Sequence, residues 1–140
     1  MVVTIDVGDA SNIHPTRKRP VGERLAIAAR ALAYGEKLES SGPVFQSIRI
    51  EGQRAHLSFT HVGGGLVAKG GPLKGFTIAG ANGKYVPADA VIEGDKVIVS
   101  SAEIIAPAAV RFGWAQMPDA NLFNVEGLPA VPFRTDKEKK

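Results

Sequence analysis

From Val44 onward, apolar and polar side chains alternate with a period of two, in short runs broken by glycine-bearing turns. That period puts successive side chains on opposite faces of a strand, so this part of the chain must form half-buried β-structure rather than packed helices. The runs are Val44 to Ile50 and Ala55 to Val62 around Glu51-Gly52, then Phe76 to Ala79, leading through Asn82-Gly83 into Tyr85-Val86. Ala90 to Ile92 and Lys96 to Ser100 follow around Glu93-Gly94-Asp95, and Val110 to Ala115 is a last strand. Asn-Gly and Gly-Asp pairs supply the positive φ that tight hairpins need. Short strands with regular turns predict an antiparallel β-sandwich or small jelly-roll-like domain. The Pro- and Asn-rich stretch from Gln116 to Thr135 is expected to wrap over it as irregular structure.

Upstream the pattern differs. Val2 to Ile5 reads as a buried strand, Gly8 to Thr16 as a polar loop, and Arg19 to Tyr34 as a helix. Val21, Leu25, Ala28, Ala29 and Leu32 make one apolar stripe at helical spacing. Pro20 suits the first turn and Gly35 the stop. Strand, loop and helix in that order fit the end of a parallel α/β sheet, but a single strand and helix cannot bury their own apolar faces. The rest of that sheet is expected upstream of Met1. The expected division is residues 1–39, the end of an α/β domain, and residues 43–140, a β-sandwich, with the boundary near Glu39 to Pro43.

Composition narrows the chemistry. The net charge is +3, and the basic clusters, Arg17-Lys18-Arg19 and Lys137 to Lys140, come without a recognition motif. Nucleic-acid binding is therefore not expected. The absence of cysteine excludes disulfides, thiolate metal sites and cysteine nucleophiles. No apolar run is long enough to span a bilayer.

His14 is the candidate for chemistry. It stands in a loop after a strand and before a helix, where open α/β sheets bind ligands, and imidazole can act as a general base near neutrality. On position alone, a local hydrogen bond is the commoner fate of such a residue. His56 and His61 are five residues apart on an expected strand and so point to opposite faces, which makes a shared metal ion unattainable without a bulge. Gly63-Gly64-Gly65 lacks the Lys-Ser/Thr ending of a phosphate loop. Phe112, Trp114 and Phe133 could stack on a sugar ring, but Trp114 lies in an apolar run and is expected in the core. None of the seven serines sits in a nucleophile-elbow or Gly-Asp-Ser context.

Two sets of residues carry a family resemblance. Val3-Thr4-Ile5-Asp6, Gly8-Asp9, Ile13-His14-Pro15, Val21 to Ala26 and Ala31 to Gly35 form one set. Val110 to Ala115, Pro118-Asp119, Asn121-Leu122, Asn124, Glu126 to Ala130 and Pro132 to Thr135 form the other. In that order they resemble the C-terminal portion of the sialate O-acetylesterases, which are serine hydrolases of the SGNH type. The resemblance implies hydrolysis of O-acetyl esters of sialic acids or related sugars by a Ser/His mechanism without metal or organic cofactor. It places His14 on the catalytic base. The position three residues before it, where many such hydrolases carry an aspartate, is Ser11, so Asp9 is the first candidate for the orienting carboxylate and Asp6 the second, the alternative being a dyad in which backbone groups orient His14. The segment carrying the nucleophile has no counterpart here. The chain alone is then expected to be inactive, and its orphan helix face to invite association. The resemblance also implies an exported, periplasmic or extracellular protein. The competing readings are a carbohydrate-binding or scaffolding β-domain without catalysis, and a split enzyme whose serine comes from another polypeptide.

Overall fold

The computed structural model describes residues 1–136; the basic cluster Lys137 to Lys140 lies outside them. The fold is mainly β with one helix, α1 (Arg19–Ala33), ahead of all the strands. The strands are β1 (Val44–Glu51), β2 (Arg54–Thr60), β3 (Leu66–Ala68), β4 (Phe76–Ala79), β5 (Tyr85–Pro87), β6 (Asp89–Glu93), β7 (Lys96–Ser100), β8 (Ala109–Phe112), β9 (Leu122–Asn124) and β10 (Phe133–Arg134). They form two four-stranded sheets, ordered β1-β2-β7-β6 and β10-β8-β4-β5, and a small β3-β9 pair. Every pairing is antiparallel.

The alternation seen in the sequence is the cause of the layering. Ala55, Leu57 and Phe59 of β2, with Val97 and Val99 of β7, turn inward against Phe76 and Ile78 of β4 and Val110 and Phe112 of β8. Phe133 of β10 closes the sandwich, stacking on Phe45 of β1 at 4.6 Å between ring centroids and meeting Phe59 edge-on. Each large side chain so buried contributes about 1.5–3 kcal/mol of hydrophobic stabilisation. Gly52, Gly83 and Gly94 hold the expected turns at φ of 57°, 71° and 62°.

Four features depart from the sequence reading. Val2 to Ile5 forms no ladder, because among the described residues no strand lies beside it to share hydrogen bonds. The helix buries Arg24, while Leu25 and Leu32, placed on the apolar stripe, are 55% and 79% exposed. The last expected strand stops at Phe112, because Gly113 turns the backbone at φ 60°. The tail is not wholly irregular, since β9 and β10 fall within it.

The polar stretch before β1 is packed rather than slack. Gly42 and Pro43 are buried, and the Pro43 carbonyl accepts from Val131 N at 2.9 Å. A Cβ at Gly42 would collide with the Pro129 carbonyl. Asn124, fully buried, fastens the same region: its Nδ2 donates to the Ser41 and His61 carbonyls at 2.9 and 3.3 Å, and its Oδ1 accepts from Leu128 N at 2.9 Å.

Candidate functional site

The N-terminal segment is pinned to α1 by one side chain. Arg24 NH1 and NH2 donate to Asp6 Oδ1 and Oδ2 at 2.6 and 2.7 Å, and NH1 also donates to the Val3 carbonyl at 2.9 Å. Burial pushes the Asp6 carboxyl upward, but the hydrogen bonds and charge of Arg24 outweigh it and leave the group below its ordinary range. Arg17 NH1 adds a bond to the Asp6 carbonyl at 3.0 Å. Val7, next in the chain, is buried, and its N–H donates to the Thr4 carbonyl at 3.2 Å where the chain turns toward the following loop.

That loop is shaped by short polar side chains bonding their own backbone. Asp9 Oδ1 accepts from Ser11 N and Oγ at 2.8 and 2.7 Å. These bonds hold the Asp9 carboxyl below its ordinary range. Asn12 Oδ1 accepts from His14 N at 2.8 Å. His14 therefore has a fixed backbone and an exposed ring. No hydrogen bond joins its imidazole to Asp9, whose carboxylate is engaged with Ser11, or to Asp6, whose two oxygens are held by Arg24. Below Pro15 lies a cavity of about 300 Å³ lined by Thr4, Val7, Gly8, Arg17, Lys18 and Val21.

The other two histidines are elsewhere and apart. His56 Nε2 lies 3.2 Å from Glu51 Oε2, and His61 Nδ1 lies 2.8 Å from Glu39 Oε1. His61 adopts φ 55°, ending β2. Among the described residues no group of three or more His, Asp or Glu side chains is arranged to hold a metal ion.

Trp114 corrects the expectation of a core residue: it is 51% exposed, whereas Phe112 and Phe133 are buried. Gly113 swings it out of the sandwich, and the Arg134 guanidinium lies 5.6 Å from its ring centroid. Its loop runs beside the N-terminal segment. A Cβ on Gly113 would touch Ile5 Cδ1 at 3.7 Å, and one on Gly8 would touch Met117 Cε at 3.7 Å. Only a glycine at the end of the apolar run hinted at this exit. Farther along, Arg111 lies over the Tyr85 ring at 3.9 Å and grips Asp136 through Nε and NH2 at 3.1 and 2.8 Å. Its hydrogen bonds hold the Asp136 carboxyl far below the ordinary carboxylate range.

No family model matches the chain. The sialate O-acetylesterases of Pongo abelii and Homo sapiens are each 39% identical to it over 66 residues, which is 44% of this chain and 13% of theirs. The crystal structure of XAC1771, described as a novel carbohydrate acetylesterase from Xanthomonas citri, matches with a TM-score of 0.93 and 51% identity, over 98% of this chain and 32% of that one. Over 98% of its length, then, the chain shares the fold of a carbohydrate acetylesterase, and over 44% of it the chain is similar in sequence to sialate O-acetylesterases; it spans 32% of the length of the first and 13% of the others.

Proposed function

We propose that this chain is the histidine-bearing portion of a serine esterase that removes acetyl groups from sugars. The observation that carries the reading is the presentation of His14. Its backbone is fastened by Asn12, its loop is anchored through the Arg24–Asp6 clamp, and its ring is open to a partner. Likeness to a carbohydrate acetylesterase along 98% of the chain supports it. Residues 1–39 are the end of the hydrolase domain, and residues 43–140 a β-sandwich docked on it.

In this reading a serine on a segment outside these 140 residues attacks the acetyl carbonyl. His14 takes the hydroxyl proton as the new C–O bond forms. Collapse of the tetrahedral intermediate breaks the bond to the sugar oxygen, which receives that proton from His14. Water, deprotonated by the same imidazole, then releases acetate and restores the serine. Asp9 is the carboxylate assigned to orient the ring. Its bonds to Ser11 must be exchanged for one to His14, because the present geometry does not join the two.

The test compares two proteins. The isolated chain should turn over an activated acetyl ester no faster than buffer. A longer protein that adds a serine-bearing hydrolase segment should be active, and His14→Ala in it should lower kcat/KM by at least about 10³-fold. Activity of the isolated chain that survives His14→Ala would refute the assignment.

A further inference from the structure

Trp114 is an anomaly among the large side chains of this sandwich. A tryptophan two residues after a fully buried phenylalanine would, on a continuing strand, share its face and stay in the core, where its ring contributes most. Here Gly113 carries it outward and Arg134 supports it. The ring forms one wall of a shallow groove of about 390 Å³, completed by Gly113, Ala115, Gln116 and Pro132. On the other side of Arg134 opens a larger cleft, about 580 Å³, walled by Arg111, Asp136, Tyr85 and Asn82. Arg134 lines this cleft, where its Nε donates to the Asp136 carbonyl at 3.3 Å, and its guanidinium lies 5.6 Å from the indole that walls the groove.

An apolar platform flanked by planar, fixed hydrogen-bonding groups matches the two chemistries of a pyranose. The C–H face of the sugar lies against an aromatic ring, and its equatorial hydroxyls require forked donors and acceptors, which guanidinium and carboxylate provide. The Arg111–Asp136 pairing immobilises that wall before any ligand arrives, which reduces the ordering cost of binding. The Trp114 loop also abuts the segment that leads into the His14 loop, through Ile5 and Gly8. A glycan lying across Trp114 would extend along the same side of the chain.

We propose that Trp114 is the stacking platform of a carbohydrate-binding site, with Arg134 and the Arg111–Asp136 pair as its hydrogen-bonding wall, which holds an oligosaccharide by units other than the one being deacetylated. The choice of a saccharide rests on the acetyl-sugar reading above; the location of the site rests on the exposed ring and the two openings.

Trp114 is the only tryptophan in the chain, so intrinsic tryptophan fluorescence reports on this groove alone. The 140-residue chain is titrated with xylotetraose, a neutral glycan, and with sialyllactose, a carboxylated one. A saturable change in emission with at least one of them is expected, and which one responds identifies the preferred sugar. By calorimetry, Trp114→Ala should abolish that binding, Arg134→Ala should weaken it at least about tenfold, and His14→Ala should leave it unchanged. The indole N–H resonance of the unsubstituted chain gives the same reading should Trp114→Ala fail to fold. No saturable response to either glycan would overturn the proposal, as would binding that survives Trp114→Ala or is lost in His14→Ala. Binding at Trp114 combined with an active His14→Ala esterase would instead sink the catalytic assignment and leave this site standing.

Discussion

Arg24 closes on both carboxylate oxygens of Asp6, at 2.6 and 2.7 Å, and by this contact a helix with little buried surface is joined to the segment that carries the histidine loop. The pair is nearly buried on both sides, with side chains 9% and 11% exposed. Removing one partner of such a pair strands the other charge away from water, at a cost of about 3–5 kcal/mol.

Arg24→Ala should therefore loosen residues 1–18 while the sandwich stays folded. Limited proteolysis should show new cleavage in the N-terminal loop, and amide exchange in β2, β4, β7 and β8 should be unaltered. Acid should have the same effect. The folded-state pKa of Asp6 is depressed, so its contribution is present above the ordinary carboxylate value of about 3.9 and is lost as pH falls through the folded value. Amide exchange in α1 followed downward from pH 5 should rise below about pH 4, and the Arg24→Ala protein should show no such step.

Asn124 and Gly42 secure the other end of the connection. Asn124→Ala would leave the Ser41 and His61 carbonyls and the Leu128 N–H without their buried partner, a loss of about 3 kcal/mol. Asn124→Asp should not rescue it, since a carboxylate can accept from Leu128 but cannot donate to two carbonyls. Gly42→Ala sets a methyl against backbone and should cost about 3 kcal/mol. Denaturant unfolding checks all three; a midpoint unchanged in Asn124→Ala would show that the tail is held by other contacts.

Leu25 and Leu32 lie exposed one above the other on α1, with Tyr34 beyond them. Such a face should drive concentration-dependent self-association of the isolated chain. Light scattering should show mass rising with concentration, and the Leu25→Glu, Leu32→Glu double variant should remain monomeric. In the longer protein proposed above, the same face would be covered by the remainder of the hydrolase domain, and the double variant should then lower stability rather than improve solubility.

The histidine could be singled out from the sequence because its neighbours form recognisable strings. Ile13-His14-Pro15, the helix starting near Pro20 and the tail around Glu126 to Ala130 are local strings that can be compared directly. The orienting carboxylate was not legible. Spacing ranks Asp9 ahead of Asp6, but only the tertiary structure shows Asp6 committed to Arg24 and Asp9 to Ser11. Trp114 was misplaced for a related reason. An apolar run says that a segment is buried somewhere, but not at which residue it leaves the core.

By itself the sequence determined the helix, the main hairpins and the two-faced strands, because each depends on local chemistry: Pro20 at a helix start, positive-φ glycines at turns, and side-chain alternation along a strand. The tertiary structure decided what depends on a distant partner. Strands β9 and β10 exist because β3 and β8 offer them edges, whereas Val2 to Ile5, β-branched throughout, has no edge to join among the described residues and forms no ladder. Arg24 rather than Leu25 faces inward because Asp6, eighteen residues away in sequence, supplies two oxygens there. Hydrogen-bond and charge pairing across such separations leaves no periodic trace in the chain, and so it becomes visible only once the fold has brought the partners together.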